Sequence, residues 1–154
     1  TPDYVVVGNK RKEGYLKALN EYGIPVQEDL VIKVKHENEI EGCLNDLFGR
    51  SVVPDAIFAV NEIYAATAMK ACRKNGYQVP QHIEVIGFTD GLISEFTSPS
   101  LTTVAQHGRS MGRKALELLL DEIDSNETEY EYKTSLIKTD LKIRNSTRKV
   151  QLQN

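Results

Sequence analysis

The sequence predicts an α/β fold: a mainly parallel sheet with helices on both faces, forming a three-layer sandwich. Three observations predict it. The runs AIFAV (56–60) and EVIGF (84–88) are short and apolar throughout, as strands covered on both faces are. Segments with apolar side chains at helical spacing alternate with them. Polar, turn-forming residues collect where each strand should end, the place where such sheets bind ligands.

Residues 4–7 (YVVV) are β-branched and read as a short strand closed by Gly8-Asn9. The following RKEGYLKALNEYG places Tyr15, Ala18, Leu19 and Tyr22 on one helical face, with Gly23 as the stop. Residues 30–35 (LVIKVK) alternate as a strand would, and Asn38 is positioned to cap a helix bearing Ile40, Cys43, Leu44, Leu47 and Phe48. After the strand at 56–60, Asn61-Glu62 opens a helix that ends at Gly76. The strand at 84–88 runs into Thr89-Asp90-Gly91, a turn sequence, and residues 102–106 (TTVAQ) form a further strand. A strongly apolar helix follows at 110–123, then an acidic linker at 125–131. Residues 132–148 alternate like one long closing strand or a pair, and 149–154 form a tail.

The 154 residues suffice for a substantial core. Nineteen Lys and Arg against 22 Asp and Glu leave a net charge of -3, which argues against a nucleic-acid surface spread over the chain. No apolar run approaches the roughly 20 residues of a membrane span, and no basic-then-apolar leader opens the chain, so a cytoplasmic origin is expected. Thr1-Pro2 begins the chain abruptly, as a piece of a longer protein would. Cys43 and Cys72 lie in helical patterns without ligand spacing and read as small buried hydrophobes. His36, His82 and His107 are scattered, so neither a metal nor a cofactor is expected. The glycine-rich phosphate loops, the GxSxG nucleophile elbow and the HExxH zinc motif are missing. Asp90 stands alone rather than in a D-x-D pair, so its residue-level reading is turn chemistry. Residues alone thus describe an α/β binding module, not an enzyme.

Five stretches carry a more specific likeness. RKEGYLKALNEYGI, PDAIFAVNEIYAATAMKACRKNGYQVP, EVIGFTDG, PSLTTVAQ and IRNST occur in the order and spacing of the lactose-repressor (LacI/GalR) family of bacterial transcription regulators. The resemblance covers roughly residues 11–147. It implies a periplasmic-binding-protein-like fold of two α/β subdomains with a small-molecule cleft between them. Residues 1–124 would be mainly the C-terminal subdomain, with helix 110–123 packing on a first subdomain that is largely missing here. DNA would be contacted only through an absent N-terminal helix-turn-helix. A helix stripped of that neighbour would expose Leu116, Leu119 and Leu120, which favours a homodimer or a swapped arrangement.

The resemblance also places site residues. Arg11 corresponds to an arginine that grips sugar hydroxyls or a carboxylate; its bland alternative is an exposed cation at a helix start. Asn61 corresponds to a ligand-binding amide, with a plain N-cap as the alternative. The residue after Gly87-Phe88 is ordinarily an aspartate in this family; here it is Thr89, and the acid follows at Asp90. Glu37, with its neighbours, stands where many relatives carry a stacking aromatic. Retaining Arg11 while losing one carboxylate makes a sugar acid or sugar phosphate more acceptable than in relatives. Ile63, Ala66, Lys70, Ser94 and Phe96 fall on segments through which the family's cores pair. The competing reading is an extracytoplasmic sugar-binding protein of a transporter, which shares the fold.

Overall fold

A computed structural model describes residues 6–51, 53–125 and 133–148. Its centre is a sheet of β1 (Ala56–Phe58), β2 (Glu84–Phe88), β3 (Thr102–Ala105) and β4 (Asp140–Lys142), in that spatial order. The first two pairings are parallel and the last is antiparallel. Helices α2 (Ile40–Phe48) and α3 (Glu62–Lys74) close one face. Their side chains Leu44, Leu47, Phe48, Ala65 and Cys72 form the core with Val85 of β2 and with Ile83 and Leu101, which immediately precede β2 and β3. Along β2 the buried side chains alternate, Val85 and Gly87 facing this core. Glycine fits closely there: a Cβ would lie 3.1 Å from the Leu101 side chain and 3.2 Å from the Cβ of Ala65, so those neighbours would have to give way.

Phe58 and Phe88 point to the opposite face, where α1 (Val6–Glu21) lies across them. Tyr15 stacks on Phe58 at 6.5 Å and Arg11 stands over Phe88. The anticipated three layers are therefore present. A short α4 (Leu92–Phe96) follows β2, and α5 (Gly108–Asp124) follows β3. Both expected glycine stops are realised: Gly23 and Gly76 take positive φ after α1 and α3, and Tyr77 N–H closes back on Cys72 O.

Four expectations fail. In residues 4–7, Tyr4 and Val5 lie outside the described residues, and Val6 and Val7 open α1 instead of forming a strand. No neighbouring strand among the described residues offers them a ladder, and β propensity without one decides little. Residues 30–35 form no strand either. A 3-10 turn, Glu28–Leu30, opens the segment, Val31 N–H bonds back to Glu28 O, and Lys35 N–H is taken by the Glu39 carboxylate at 2.9 Å. Of the alternating set, Val34 is buried in the core, Leu30 packs against it half-buried, and Ile32 is exposed.

Asn38 caps nothing: it sits inside a second 3-10 turn, Glu37–Glu39, that runs straight into α2. Of the closing segment 132–148, only Asp140–Lys142 pairs as strand. Residues 126–132 of the expected linker and closing region, and the tail 149–154, lie outside the described residues.

Candidate ligand-binding site

Because β1, β2 and β3 are parallel, their carboxyl ends share one edge of the sheet, and Asn61, Thr89 and Gln106 are the polar residues found there. Asn61 starts α3: its Oδ1 accepts the backbone N–H of Tyr64 at 2.8 Å. The capping role is thus realised, and it leaves the amide nitrogen as the free end of the side chain.

Arg11 reaches this edge from α1. Its Nη1 donates to Val60 O at 2.6 Å, and its guanidinium lies 4.1 Å from the centre of the Phe88 ring. Partial burial pulls its pKa below the usual value, yet a guanidinium keeps its charge at any physiological pH. The carbonyl and the ring occupy one nitrogen and one face of the group and hold its plane in place. The exposed-cation reading of Arg11 is overturned.

Thr89 has φ of 77°, a conformation uncommon for a β-branched residue. Two bonds hold it: its N–H donates to Val104 O at 3.0 Å, and its hydroxyl donates to Gln106 Oε1 at 2.9 Å. Both partners belong to the β3 side, so the β2 and β3 ends are latched together.

Asp90 turns away from this edge. Its carboxylate meets Arg144 at 2.7 Å and Lys142 at 3.1 Å and accepts from the Thr103 hydroxyl at 2.8 Å. Desolvation pushes its pKa up, but the bonds from Thr103, Arg144 and Lys142 outweigh it and hold the carboxyl below its ordinary range. Expected among the ligand-binding residues, Asp90 has its carboxylate engaged within the fold by Arg144, Lys142 and Thr103. IRNST acquires a physical meaning here. Arg144 locks Asp90, while Ser146, fully buried, donates to Val85 O and accepts from Thr102 N–H where β2 and β3 begin.

Glu62 is likewise occupied, its Oε2 accepting from Gly91 N–H and the Ser94 hydroxyl, each at 3.0 Å. Glu37 is exposed on the turn before α2. After desolvation, Glu37 and Glu39 are the charges that raise the pKa of Tyr64. Sequence reasoning missed Gln106 and Phe88. The strand-end rule that selected Asn61 and Thr89 applies equally to Gln106, the residue following TTVA.

Among the residues expected at a dimer interface, Ile63 and Phe96 are exposed, at 43% and 82%, and Leu92 beside them is 77% exposed. Ala66 is half-buried, and Lys70 is exposed, 3.7 Å from Glu41. Ser94 does not belong to that surface: it is fully buried, bonded to Glu62 and, through its carbonyl, to Leu101 N–H. Among the described residues no cluster of His, Cys, Asp and Glu could hold a metal ion, and no helix is long and apolar enough to cross a membrane.

An open α/β sheet with polar groups gathered at its parallel-strand ends defines a ligand-binding module of the periplasmic-binding-protein type, and that family profile matches residues 2–147. The HTH-type transcriptional repressor PurR of Pasteurella multocida is 35% identical over 121 residues, 77% of this chain and 36% of that relative. The HTH-type transcriptional regulator GalS of Salmonella typhimurium is 40% identical over 111 residues, 71% of this chain and 33% of the relative. A LacI-family regulatory protein from Chloroflexus aggregans superposes with a TM-score of 0.85 at 30% identity, covering 95% of this chain and 52% of that one. The transcriptional regulator CelR, in complex with cellobiose, gives 0.84 at 30% identity, covering 94% and 44%. The chain belongs to the LacI/GalR family and corresponds to its effector-binding region. It spans about a third of the length of the two curated relatives.

Proposed function

We propose that this chain is the ligand-sensing and dimerising core of a DNA-binding transcriptional regulator acting in the cytoplasm. It takes a sugar or sugar derivative at the carboxyl edge of its parallel strands and works as a binding module rather than a catalyst. The observation that carries this reading is Arg11, oriented by Val60 O and Phe88 so that its remaining donors line the edge where Asn61, Thr89 and Gln106 end their strands. A planar donor fork suits vicinal hydroxyls or an acid. Neighbouring structures support the ligand class: CelR was solved with cellobiose, and a Lactobacillus casei LacI-family regulator with sucrose. The transporter alternative is not favoured, since the matched relatives are transcriptional regulators.

In this reading the described edge is one wall of a cleft, and the effector favours one orientation of that wall relative to a second subdomain. A preference worth about 1–3 kcal/mol is enough to alter operator occupancy by DNA-binding heads elsewhere in the protein. Ile63, Leu92 and Phe96 would pair with a second copy. Calorimetric titration with neutral and acidic mono- and disaccharides tests the ligand reading: binding should occur and be lost in Arg11→Gln with the melting temperature retained. Absence of heat for every member, confirmed by unchanged thermal stability, would overturn it. A monomeric sedimentation mass at high micromolar concentration would sink the dimer.

A further inference from the structure

Away from the strand edge, cations gather on α5. The helix and residues 135–137 enclose an open groove of about 280 Å3, lined by Arg109, Ser110, Arg113, Lys114, Ser135 and Ile137, with Glu117 one turn further along. Helical spacing explains the grouping. Arg109 and Arg113 are four residues apart, as are Ser110 and Lys114, so all four project from one flank on successive turns. That flank lies about 100° round the helix from the stripe of Leu116, Leu119, Leu120 and Ile123, so a partner on the stripe does not have to cover the groove.

The fold does not consume the two arginines. Lys114 pairs with Glu117 at 3.1 Å, and Asp140, the acid beside the start of α5, is bonded to His107 Nε2 at 2.8 Å. The guanidinium groups of Arg109 and Arg113 make no ion pair or hydrogen bond among the described residues. Both keep a permanent charge and a full planar fork of donors. The first backbone amides of α5 are spent differently, since Ser110 N–H and Met111 N–H donate to His107 O at 2.9 and 3.1 Å. The groups that face the groove are therefore side chains.

We infer that this groove is a second ligand site, separate from the strand edge, and that it takes a small molecule through a phosphate group. Glu117 neutralises Lys114, which leaves two arginine charges one turn apart. A phosphate dianion matches that charge and accepts from both forks and from the Ser110 and Ser135 hydroxyls. A carboxylate carries half the charge and offers fewer acceptor positions. Nucleic acid is a poorer fit, because its binding draws on positive charge spread over many phosphates, and this chain has a net charge of -3. The inference does not depend on the sugar reading of the strand edge.

The full chain is titrated at low salt with inorganic phosphate, glycerol 3-phosphate and acetate, following the backbone and arginine N–H signals of α5 by NMR. At about pH 7.5 a phosphate monoester is a dianion. Both phosphates should bind at least about tenfold more tightly than acetate, the scale of one charge-assisted hydrogen bond. Arg109→Gln and Arg113→Gln should each weaken phosphate by about tenfold with the melting temperature unchanged, since both side chains are exposed. Glu117→Gln, which frees Lys114, should tighten it by about threefold, and Arg11→Gln should leave it as it is. Acetate binding as tightly as phosphate, phosphate affinity unchanged in Arg113→Gln, or no phosphate-dependent shift on α5 overturns the inference. Loss in Arg11→Gln in place of Arg113→Gln also overturns it and moves the anion to the strand edge. A phosphoserine peptide binding more than about tenfold tighter than glycerol 3-phosphate overturns the small-molecule assignment.

Discussion

Helix α3 buries Ala65, Ala68, Met69 and Cys72, whereas α5 presents Leu116, Leu119, Leu120 and Ile123 at the same four-point spacing and buries none of them. Those four side chains of α5 are between 48% and 66% exposed. Both stripes follow the i, i+3, i+4, i+7 rule that makes a helix amphipathic. The difference lies in what faces them. Helix α3 lies on β2, with Ala65 against Gly87 and Leu101 beneath, while α5 leaves the sheet after His107, a residue with φ of 51°. An apolar stripe specifies that a partner is wanted, and the tertiary arrangement specifies whether this chain supplies it.

The largest expected effect tests that contrast directly. Met69→Ala should cost about 2–5 kcal/mol in denaturant unfolding, as deletion of a packed core side chain does, and a loss under about 1 kcal/mol would mean that α3 is not seated as described. Next comes the Asp90 cluster. Asp90→Asn should cost about 2–3 kcal/mol, because Arg144, only 16% exposed, loses its closest anion. Asp90 titrates lower folded than unfolded, so its stabilisation is complete above the ordinary aspartate pKa of about 3.9 and is lost as pH falls through the folded value. The wild-type chain should therefore lose stability below about pH 4 more steeply than Asp90→Asn, and parallel curves would exclude the cluster as the cause.

A smaller effect is expected at Gly91. A Cβ there would land on the Glu62 carboxylate, forcing that side chain aside and breaking its bonds to Gly91 and Ser94. The predicted cost of Gly91→Ala is about 1–2 kcal/mol in thermal melts, and a neutral outcome would show that Glu62 holds nothing in place. The smallest effect completes the comparison with α3. Leu119→Ala on α5 should change monomer stability by no more than about 0.5 kcal/mol, and a core-sized loss would prove that a partner already covers that face.

Much of the sheet and its helices was legible in the residues. AIFAV, EVIGF and TTVA became β1, β2 and β3, because continuous apolar runs bounded by turn residues have few other stable destinations. The glycine stops were legible for the same local reason. YVVV and LVIKVK were misread, since a strand exists only where another strand pairs with it, and pairing is not a local property. At the site, Asn61 was legible from its place at a strand end, whereas Arg11 was indicated by the resemblance and reaches that edge from within α1. The fate of Asp90 did not, because its partners Lys142 and Arg144 lie more than fifty residues further along the chain.

By itself, then, the order of residues determined an α/β sheet and the edge on which polar groups gather, consequences of periodicity and turn chemistry acting over short distances, while the family followed from the likeness of five stretches. Only the tertiary structure decided which of those polar groups remain free. Thr103, Lys142 and Arg144 withdraw Asp90, Gly91 and Ser94 engage one oxygen of Glu62, and the Thr89 hydroxyl turns the Gln106 amide. The physical reason is that a side chain's chemistry at a site depends on which of its atoms are already bonded, and those bonds cross the fold.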